Sequence, residues 1–358
     1  MKLGFFTMPM HPIGKDWQQC LREDREAFLL ADALGYVEGY CGEHATDPEE
    51  NIISSSMFMA SLAYATKNIK LGTGTLNMPN HHPAAVAGEM AMLDHMLGGR
   101  FILGISPGAL PSDAEIFGNM DLNRPAMFLE AINQMLEIWA SKPPYNIEGQ
   151  FWNITTRRTH IPEPGMGTVP MPLQRPHPPI VVTAVAPFSQ GITEAAARGW
   201  EPISANFLLP KWVRSHWTKY VEGCERAGRK AEPANWRVAK TVFVADDDAT
   251  AKAYALGSDG PYYYYYRSLF SKLKRRNALG VFKSDPKMPD EEVTLEGVMD
   301  QLVIHGSPQS VADQLRALQE VTSEFGTLLY AGVDWKDPAL ARRSMTLMAE
   351  KVIPAMGR

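Results

Sequence analysis

The chain is poor in cysteine. Cys20, Cys41 and Cys224 are its only three, an odd number at wide spacings. Neither a disulfide framework nor a paired-cysteine zinc site can be drawn from them, so buried free thiols are the expectation. An excess of charge is lacking as well: 35 Lys and Arg face 40 Asp and Glu, a net charge of -5. Such a balance gives no electrostatic footprint for nucleic acid or an anionic membrane. No apolar run reaches the roughly 20 residues that span a bilayer. The opening MKLGFFTMPMHPIGKD is too short and too interrupted for a secretory signal. Together these absences lead to the expectation of a soluble, cytoplasmic protein. Also missing is a glycine-rich phosphate loop behind the first strand-like segment, where TMPMHPIGKDW holds only Gly14. That disfavours a doubly wound dinucleotide fold. A barrel hydrolase would need paired carboxylates or metal ligands at strand ends, and the sequence offers neither.

What the sequence does have is alternation. Strand-like runs at 2–8, 36–42, 69–76, 101–106, 179–185, 200–206, 236–245 and 326–333 are each followed by a helical pattern. Those helices are expected over 15–34, 51–66, from Pro83, over 122–141, through ITEAAARG, over 211–227, after the acidic run 246–248 and at the C-terminus. Repeated β–α units imply parallel strands joined by crossover helices. Eight of them predict an α/β protein with a closed (β/α)8 TIM barrel, read as a single domain over 1–358. The 45% of hydrophobic residues suffices for one large core, and the 19 methionines suit either that core or a soft apolar pocket. Two stretches break the rhythm. One is the proline-rich 142–178; the other is 257–305, an extended loop or helical insertion after the seventh strand, expected to be mobile and able to cap the barrel mouth.

A TIM barrel presents its chemistry at the C-terminal ends of its strands. The second strand-like run ends in Cys-Gly-Glu-His, so His44 is a candidate proton donor or acceptor, or a structural hydrogen bonder. Glu43 points to the opposite side and is expected to pair beneath the loop. The third ends in GTGTLNMPNHHP, where Gly72 and Gly74 leave room for a flat ligand and Asn77 offers hydrogen bonds to a ring edge. His81, His82 and His44 lack a carboxylate pattern that would make them a metal site, and no metal is expected. Arg124 opens a helix and suits either a phosphate or a nearby acid. Ser189 precedes another helix, either as an ordinary cap or as part of an anion site made by backbone N–H groups. The tyrosines at 262–266 suit a lid or an oligomer contact better than a stacking surface for single-stranded nucleic acid. Phe5, Phe6, Met8, Trp335 and this tyrosine run suggest an apolar pocket.

These segments together resemble the bacterial luciferase-like superfamily of flavin-dependent monooxygenases over nearly the whole chain. The matching pieces are EH at 43–44, GTGTLNMPNHHP at 72–83, LDHMLGGRFILGISPGALPSD at 93–113, PPIVV at 178–182, HGSPQSVADQL at 305–315 and RRSMTLMAEKVIPAM near the C-terminus. ISPGALPSD and VDWKD are most similar to the limonene monooxygenase branch. The resemblance implies flavin mononucleotide (FMN) at the barrel mouth, used in reduced form with O2. It also implies a separate NAD(P)H-dependent flavin reductase, a small apolar substrate (terpene-like or a cyclic ketone) and a homo-oligomer. It assigns His44 a catalytic role and gives Gly74, Thr75, Asn77, Ser106, Arg124, Ala186, Ser189 and Gln190 to the cofactor. Phe6, Met8 and Trp335 fall to the substrate pocket, and a cis peptide is expected at Gly74-Thr75. Two positions depart from the luciferases. Ala45 stands where they have a second histidine, and Pro107 where they have an arginine near the phosphate. Aldehyde luminescence is therefore not expected, and Ser189 with backbone groups has more of the phosphate to hold. A deazaflavin-dependent oxidoreductase and a non-catalytic flavin-binding protein are the alternative readings.

Overall fold

Proline and Asx residues decide where the helices start. Pro83, Pro210, Pro261, Pro308 and Pro338 occupy first helical positions, where the missing N–H costs nothing. Asp16, Ser54, Asn123 and Asp247 cap others with side-chain oxygens, and Asp337 caps the helix that Pro338 opens. The structure, a computed structural model, describes residues 1–357. Its first half runs β1 (Lys2–Thr7), α1 (Trp17–Ala33), β2 (Glu38–Cys41), α2 (Ser55–Leu62), β3 (Lys70–Thr73), β4 (Leu76–Asn77), α3 (Pro83–Met96), β5 (Phe101–Ser106), α4 (Pro111–Ile116) and α5 (Arg124–Ala140). A small hairpin, β6 (Asn146–Ile147) and β7 (Ile154–Thr155), follows within the proline-rich stretch. The second half runs β8 (Ile180–Ala184), α6 (Gln190–Ala197), β9 (Glu201–Ser204), α7 (Pro210–Arg226), β10 (Arg237–Val244), α8 (Asp248–Leu256), α9 (Pro261–Arg275), α10 (Leu295–Leu302), β11 (Val303–Gly306), α11 (Pro308–Thr322), β12 (Thr327–Gly332), α12 (Pro338–Leu347) and α13 (Ile353–Met356).

Strands β1, β2, β3, β5, β8, β9, β10 and β12 pair in parallel in that order, and β12 returns to β1. This closed eight-stranded ring with its surrounding helices is the expected TIM barrel. Its interior is filled, as small barrels are. Phe6, Tyr40, Ile102, Val181, Ile203, Ala239 and Leu329 form one inner cluster, a residue from each of seven strands. The eighth, β3, contributes Gly72, because a Cβ there would meet the Tyr40 ring at 2.6 Å. At the N-terminal end of the strands Arg237 is nearly buried between Glu38 and Glu201. Its Nε donates to one Glu38 oxygen at 2.6 Å, its Nη2 to the other at 3.0 Å, and its Nη1 to Glu201 at 2.6 Å.

Two features lie outside the sequence expectation. Strand β11 joins the sheet as an additional parallel neighbour. Long β10 pairs with β12 along Arg237–Lys240 and with β11 along Thr241–Val244, so one strand serves two partners in succession. The tyrosine run, in turn, lies in helix α9. Tyr262, Tyr265 and Tyr266 stand three and four positions apart, which puts them on one helix face. They are buried in a cluster with Phe243, Met10, Leu209 and Phe282.

The Arg237 triad gives a stability prediction. Replacing Arg237 with Met should leave two carboxylates without their partner inside the barrel. A loss of about 3–5 kcal/mol is expected, as for other broken buried pairs. Urea unfolding of wild type and variant measures it; a loss below about 1 kcal/mol would show that the triad does not hold the barrel floor.

Candidate active site

The mouth of the barrel is organised by the ends of β2, β4 and β5. Glu43 and His44 follow β2 and point to opposite sides. Glu43 turns inward to 5% exposure. Its carboxylate accepts from the Ser55 N–H at 2.9 Å, the Ser55 hydroxyl at 2.7 Å and the Asn77 N–H at 2.9 Å, and His81 lies 3.4 Å away. Burial pushes its pKa up, but these donors outweigh burial and hold it below the usual carboxylate range. Asn77 passes the contact along. Its amide donates to the Glu43 carbonyl at 3.2 Å and its oxygen accepts from the Ser106 hydroxyl at 2.9 Å. Ser106 in turn accepts from Thr75 at 2.7 Å and from the Gly108 N–H at 3.1 Å. The Gly74-Thr75 peptide is cis. Thus Gly74, Thr75, Asn77 and Ser106 form one hydrogen-bonded wall.

His44 faces the other way. Its Nδ1 is 2.8 Å from Asp113 Oδ2, at the start of α4. Asp113 is itself fixed by the Ala45 N–H at 3.1 Å, the Thr46 N–H at 2.9 Å and the Thr46 hydroxyl at 2.6 Å. Burial opposes a charged imidazole, yet the Asp113 bond and the charges of Glu50, Asp113 and Asp47 outweigh it and raise the His44 pKa above 6.5. Burial raises the Asp113 pKa, while His44 and Thr46 pull it below 3.8 and prevail. His44 is therefore held more basic than an unperturbed histidine. With Nδ1 engaged, Nε2 is the atom left for a ligand.

Arg124 reaches back from the start of α5. Its Nη2 donates to the Pro107 carbonyl at 2.6 Å, and its Nη1 to Asn119 and, at 3.5 Å, to Asn80. A guanidinium thus stands against Pro107 although that position itself carries no charge. Gly108 makes this possible, since it sits at φ +74° and a Cβ there would meet Arg124 at 2.6 Å.

Across the β5–β8 pairing lies the loop that precedes α6. Ser189 occupies the cap position, but its hydroxyl makes no capping bond. The first bond of the helix runs from Ile192 N–H to the Ser189 carbonyl at 3.1 Å, so the preceding N–H groups stay outside the helical ladder. The loop is fastened from α7. His216 Nε2 donates to the Ala186 carbonyl at 2.8 Å and its Nδ1 is 2.8 Å from the Ser204 hydroxyl. The Ser215 hydroxyl accepts from Phe188 N–H at 2.9 Å. Burial pushes the His216 pKa down to about 4, which fits a neutral ring that fixes a loop. Gln190 is exposed and lies 3.4 Å from Lys219 Nζ.

Of the three pocket candidates, Phe6 lies in the inner cluster and Met8 packs on it. Trp335 is elsewhere. It belongs to the outer core with Phe5 and Tyr330, and Arg342 lies over its ring at 5.2 Å. Trp335 precedes Asp337, whose side chain caps α12. Asp113, Glu50, His216 and Lys272 were not singled out from sequence. Asp113 carried the one usable signal, a carboxylate in the first helical turn, opened by Pro111, that follows the short loop after β5.

The His44–Asp113 pair generates a pH prediction. A histidine whose folded pKa is raised contributes stability below 6.5 that is lost as pH climbs through the folded value. A depressed aspartate contributes stability above 3.8 that is lost as pH falls through its folded value. Asp113→Asn should therefore cost most between those limits, and the gap to wild type should narrow as the solution is made alkaline. Denaturant unfolding across pH measures this; a gap independent of pH would mean that Asp113 serves only the Ala45–Thr46 loop.

Comparison with known proteins agrees with this geometry. The family model described as luciferase-like monooxygenase matches residues 1–324. The chain is 31% identical to 4-hydroxyprotoasukamycin monooxygenase of Streptomyces nodosus subsp. asukaensis, covering 99% of this chain and 92% of that one. It is 26% identical to limonene 1,2-monooxygenase of Rhodococcus erythropolis, with 98% and 85% covered. Among solved structures it superposes on the oxygenating constituent of 3,6-diketocamphane monooxygenase of Pseudomonas putida, a type II Baeyer-Villiger monooxygenase in complex with FMN. That match has a TM-score of 0.89 and 29% identity, with 99% of this chain and 98% of the other covered. With the family model matching residues 1–324 and a barrel of this kind in place, this chain belongs to the luciferase-like monooxygenase family.

Proposed function

We propose that the protein is a flavin-dependent monooxygenase that uses reduced FMN and O2 to oxygenate a small, largely apolar organic molecule, terpene-like or a cyclic ketone. The observation that carries this reading is the His44–Asp113 pair, held at 2.8 Å beside a wall of small residues at the barrel mouth. The residues present suit FMN. Gly42, Gly74 and Gly108 let Met8, Tyr40 and Arg124 pack close against the backbone of the mouth, where a Cβ would meet each at 2.2–2.8 Å. The unused Ser189 hydroxyl and the N–H groups opening α6 suit its phosphate, with Ala186 held behind them by His216 and Gln190 beside them. Thr75, Asn77 and Ser106 suit the edge of the ring system, and Arg124 adds a positive charge at the β5 loop.

FMN, when bound and reduced, supplies the electrons and the site at which oxygen is activated. The chain's own part is to orient, to exclude water and to manage protons. His44 presents Nε2 to the mouth, and Asp113 keeps the imidazole basic enough to hold a proton near neutral pH. Met8 and Phe6 form an apolar base. Helix α9 covers the neighbouring loops: Tyr264 accepts from Ile13 N–H at 3.2 Å and Arg276, just past its end, donates to the Ala109 carbonyl at 3.1 Å. Such a cover limits water at the reacting centre. The same reading includes a separate flavin reductase as the source of reduced FMN.

The test is to supply the purified chain with chemically reduced FMN, oxygen and a panel of terpenes, cyclic ketones and aldehydes, and to look for products carrying one added oxygen. His44→Ala should lower the rate about 10²–10⁴-fold, the usual scale for a lost proton-transfer group. Ser189→Asp should weaken FMN binding by charge repulsion at the helix terminus. Product formation by His44→Ala at the wild-type rate would remove His44 from the chemistry; unchanged FMN affinity in Ser189→Asp would move the phosphate elsewhere.

A further inference from the structure

Nδ1 of His44 is committed to Asp113, which leaves Nε2 to act. The carboxylate facing that atom is Glu50. Its Oε2 lies 3.8 Å from Nε2, and the residue is 6% exposed. That oxygen has no hydrogen-bond partner among the described residues. A buried polar atom left open in this way costs stability unless something uses it. The other oxygen, Oε1, lies 3.6 Å from the ammonium of Lys272 on α9. Lys272 also pairs with Asp47 and, at 3.4 Å, with Glu49. Tyr264 and Ser268, on the same helix, donate to the two Glu49 oxygens. The covering helix thus inserts one positive charge among three carboxylates of the β2–α2 loop, and one of those carboxylates faces His44.

We propose that Glu50 is a positioning residue for His44 and that Lys272 of helix α9 sets its charge. With the Lys272 ammonium in place, Glu50 is a carboxylate and His44 an imidazolium. Without that charge, one proton passes from His44 Nε2 to Glu50 Oε2, leaving a neutral imidazole still bonded to Asp113 and a neutral acid. No other bond changes and no charge leaves the pair. The helix that covers the mouth and limits water there thus also supplies the charge that keeps the imidazole ready to deliver a proton.

The surroundings favour that balance. Burial raises the Glu50 pKa, and His44 and Lys272 are the groups that pull it back. The other charged or titratable groups facing the pair are Asp113 on α4, Asp47 and Glu49 on the loop, the Cys41 thiol at the end of β2 and the Tyr265 phenol on α9; Arg124 acts on Asp113. Of the two cations nearby, Lys272 alone pairs with the carboxylates of the β2–α2 loop.

The inference rests on the reading of His44 as a proton-handling group, yet its test needs neither flavin nor turnover. NMR titration of the full-length protein, with labelled histidine and glutamate, follows the His44 imidazole and the Glu50 carboxyl. Lys272→Met should lower the His44 midpoint by about one pH unit or more, the scale of a neighbouring charge, and should raise that of Glu50. Glu50→Gln should lower the His44 midpoint likewise, and adding Lys272→Met to it should lower it no further. Lys272→Arg should restore the wild-type titration. Lys272→Gln, which keeps a polar end, serves the same purpose where Met disturbs the packing of α9. Simple loss of a positive neighbour would raise the His44 midpoint, so a rise or no change in the Lys272 variants overturns the proposal. Additive effects of the two substitutions overturn it as well. If the titrations behave as expected but no oxygenated product forms from any substrate, the coupling stands and the functional reading fails.

Discussion

A carboxylate taken out of water must be met by donors, and the requirement at Glu43 sets the form of the whole mouth. Its donors come from Ser55 at the start of α2, from Asn77 in β4 and from His81 beyond it. Two segments, the start of α2 and the run 77–81 after β3, are thereby locked to the end of β2. The lock extends outward through Asn77 to Ser106, and from Ser106 to Thr75 and Gly108. Because successive residues of an extended chain point to opposite sides, burial of Glu43 sends His44 toward Asp113. The position of the imidazole is a consequence of the carboxylate beside it.

The barrel was legible because its signals are local. Each strand is a short apolar run, and proline or Asx residues mark most helix starts. What escaped the sequence depends on contacts between distant segments. Strand β11 is four residues, VIHG, and gains its meaning only because β10 outlasts its pairing with β12. The tyrosine run was legible in kind but not in role. Its aromatic density suggested a surface, whereas the spacing of Tyr262, Tyr265 and Tyr266 fits one buried face of a helix. Trp335 was given to the substrate pocket by its aromatic character and the resemblance, but its ring packs in the outer core beneath Arg342. Lys272 and Asp47 are 225 residues apart, and nothing in either segment marks the other as its partner. Of the wall residues, Asn77 was legible as a polar side chain at a strand end, whereas Thr75 and Ser106 were found through the resemblance; glycine-rich strand ends say that there is room, not what will line it.

Polar groups are treated differently at the two ends of the barrel. At the N-terminal end Arg237 is fully matched by Glu38 and Glu201. Near β1 the same strategy recurs outside the barrel. His11 bridges Asp24 and Asp334, and Lys15 bridges Glu23 and Asp334, fastening the first loop to α1 and to the end of β12. Burial pulls the His11 pKa down, but Asp24 and Asp334 outweigh it and bring it to about 9, so the ring stays charged as a structural cation. At the C-terminal mouth the pattern is incomplete. Nε2 of His44, Oε2 of Glu50 and the Ser189 hydroxyl are left open. Incomplete pairing is tolerable there because stability is secured elsewhere, in the matched floor and the outer core.

The inner aromatic layer then bears on what the mouth can accept. Phe6 and Tyr40 close the barrel below Met8, so a ligand has no route deeper into the interior. Any substrate must lie above that layer, between it and the elements that cover the mouth. Those elements present Met10, Leu209 and Tyr265, all in one buried apolar cluster with the inner face of α9. The polar atoms left open are gathered at the β2 and β8 ends. The side beneath α9 is mixed: Tyr265 donates to Asn206 at 3.1 Å and the Lys240 ammonium to the Leu208 carbonyl at 2.7 Å, beside the apolar Met10 and Leu209. There these buried polar groups are already met from within the chain, so the open hydrogen-bonding capacity of the mouth lies on its β2 and β8 sides.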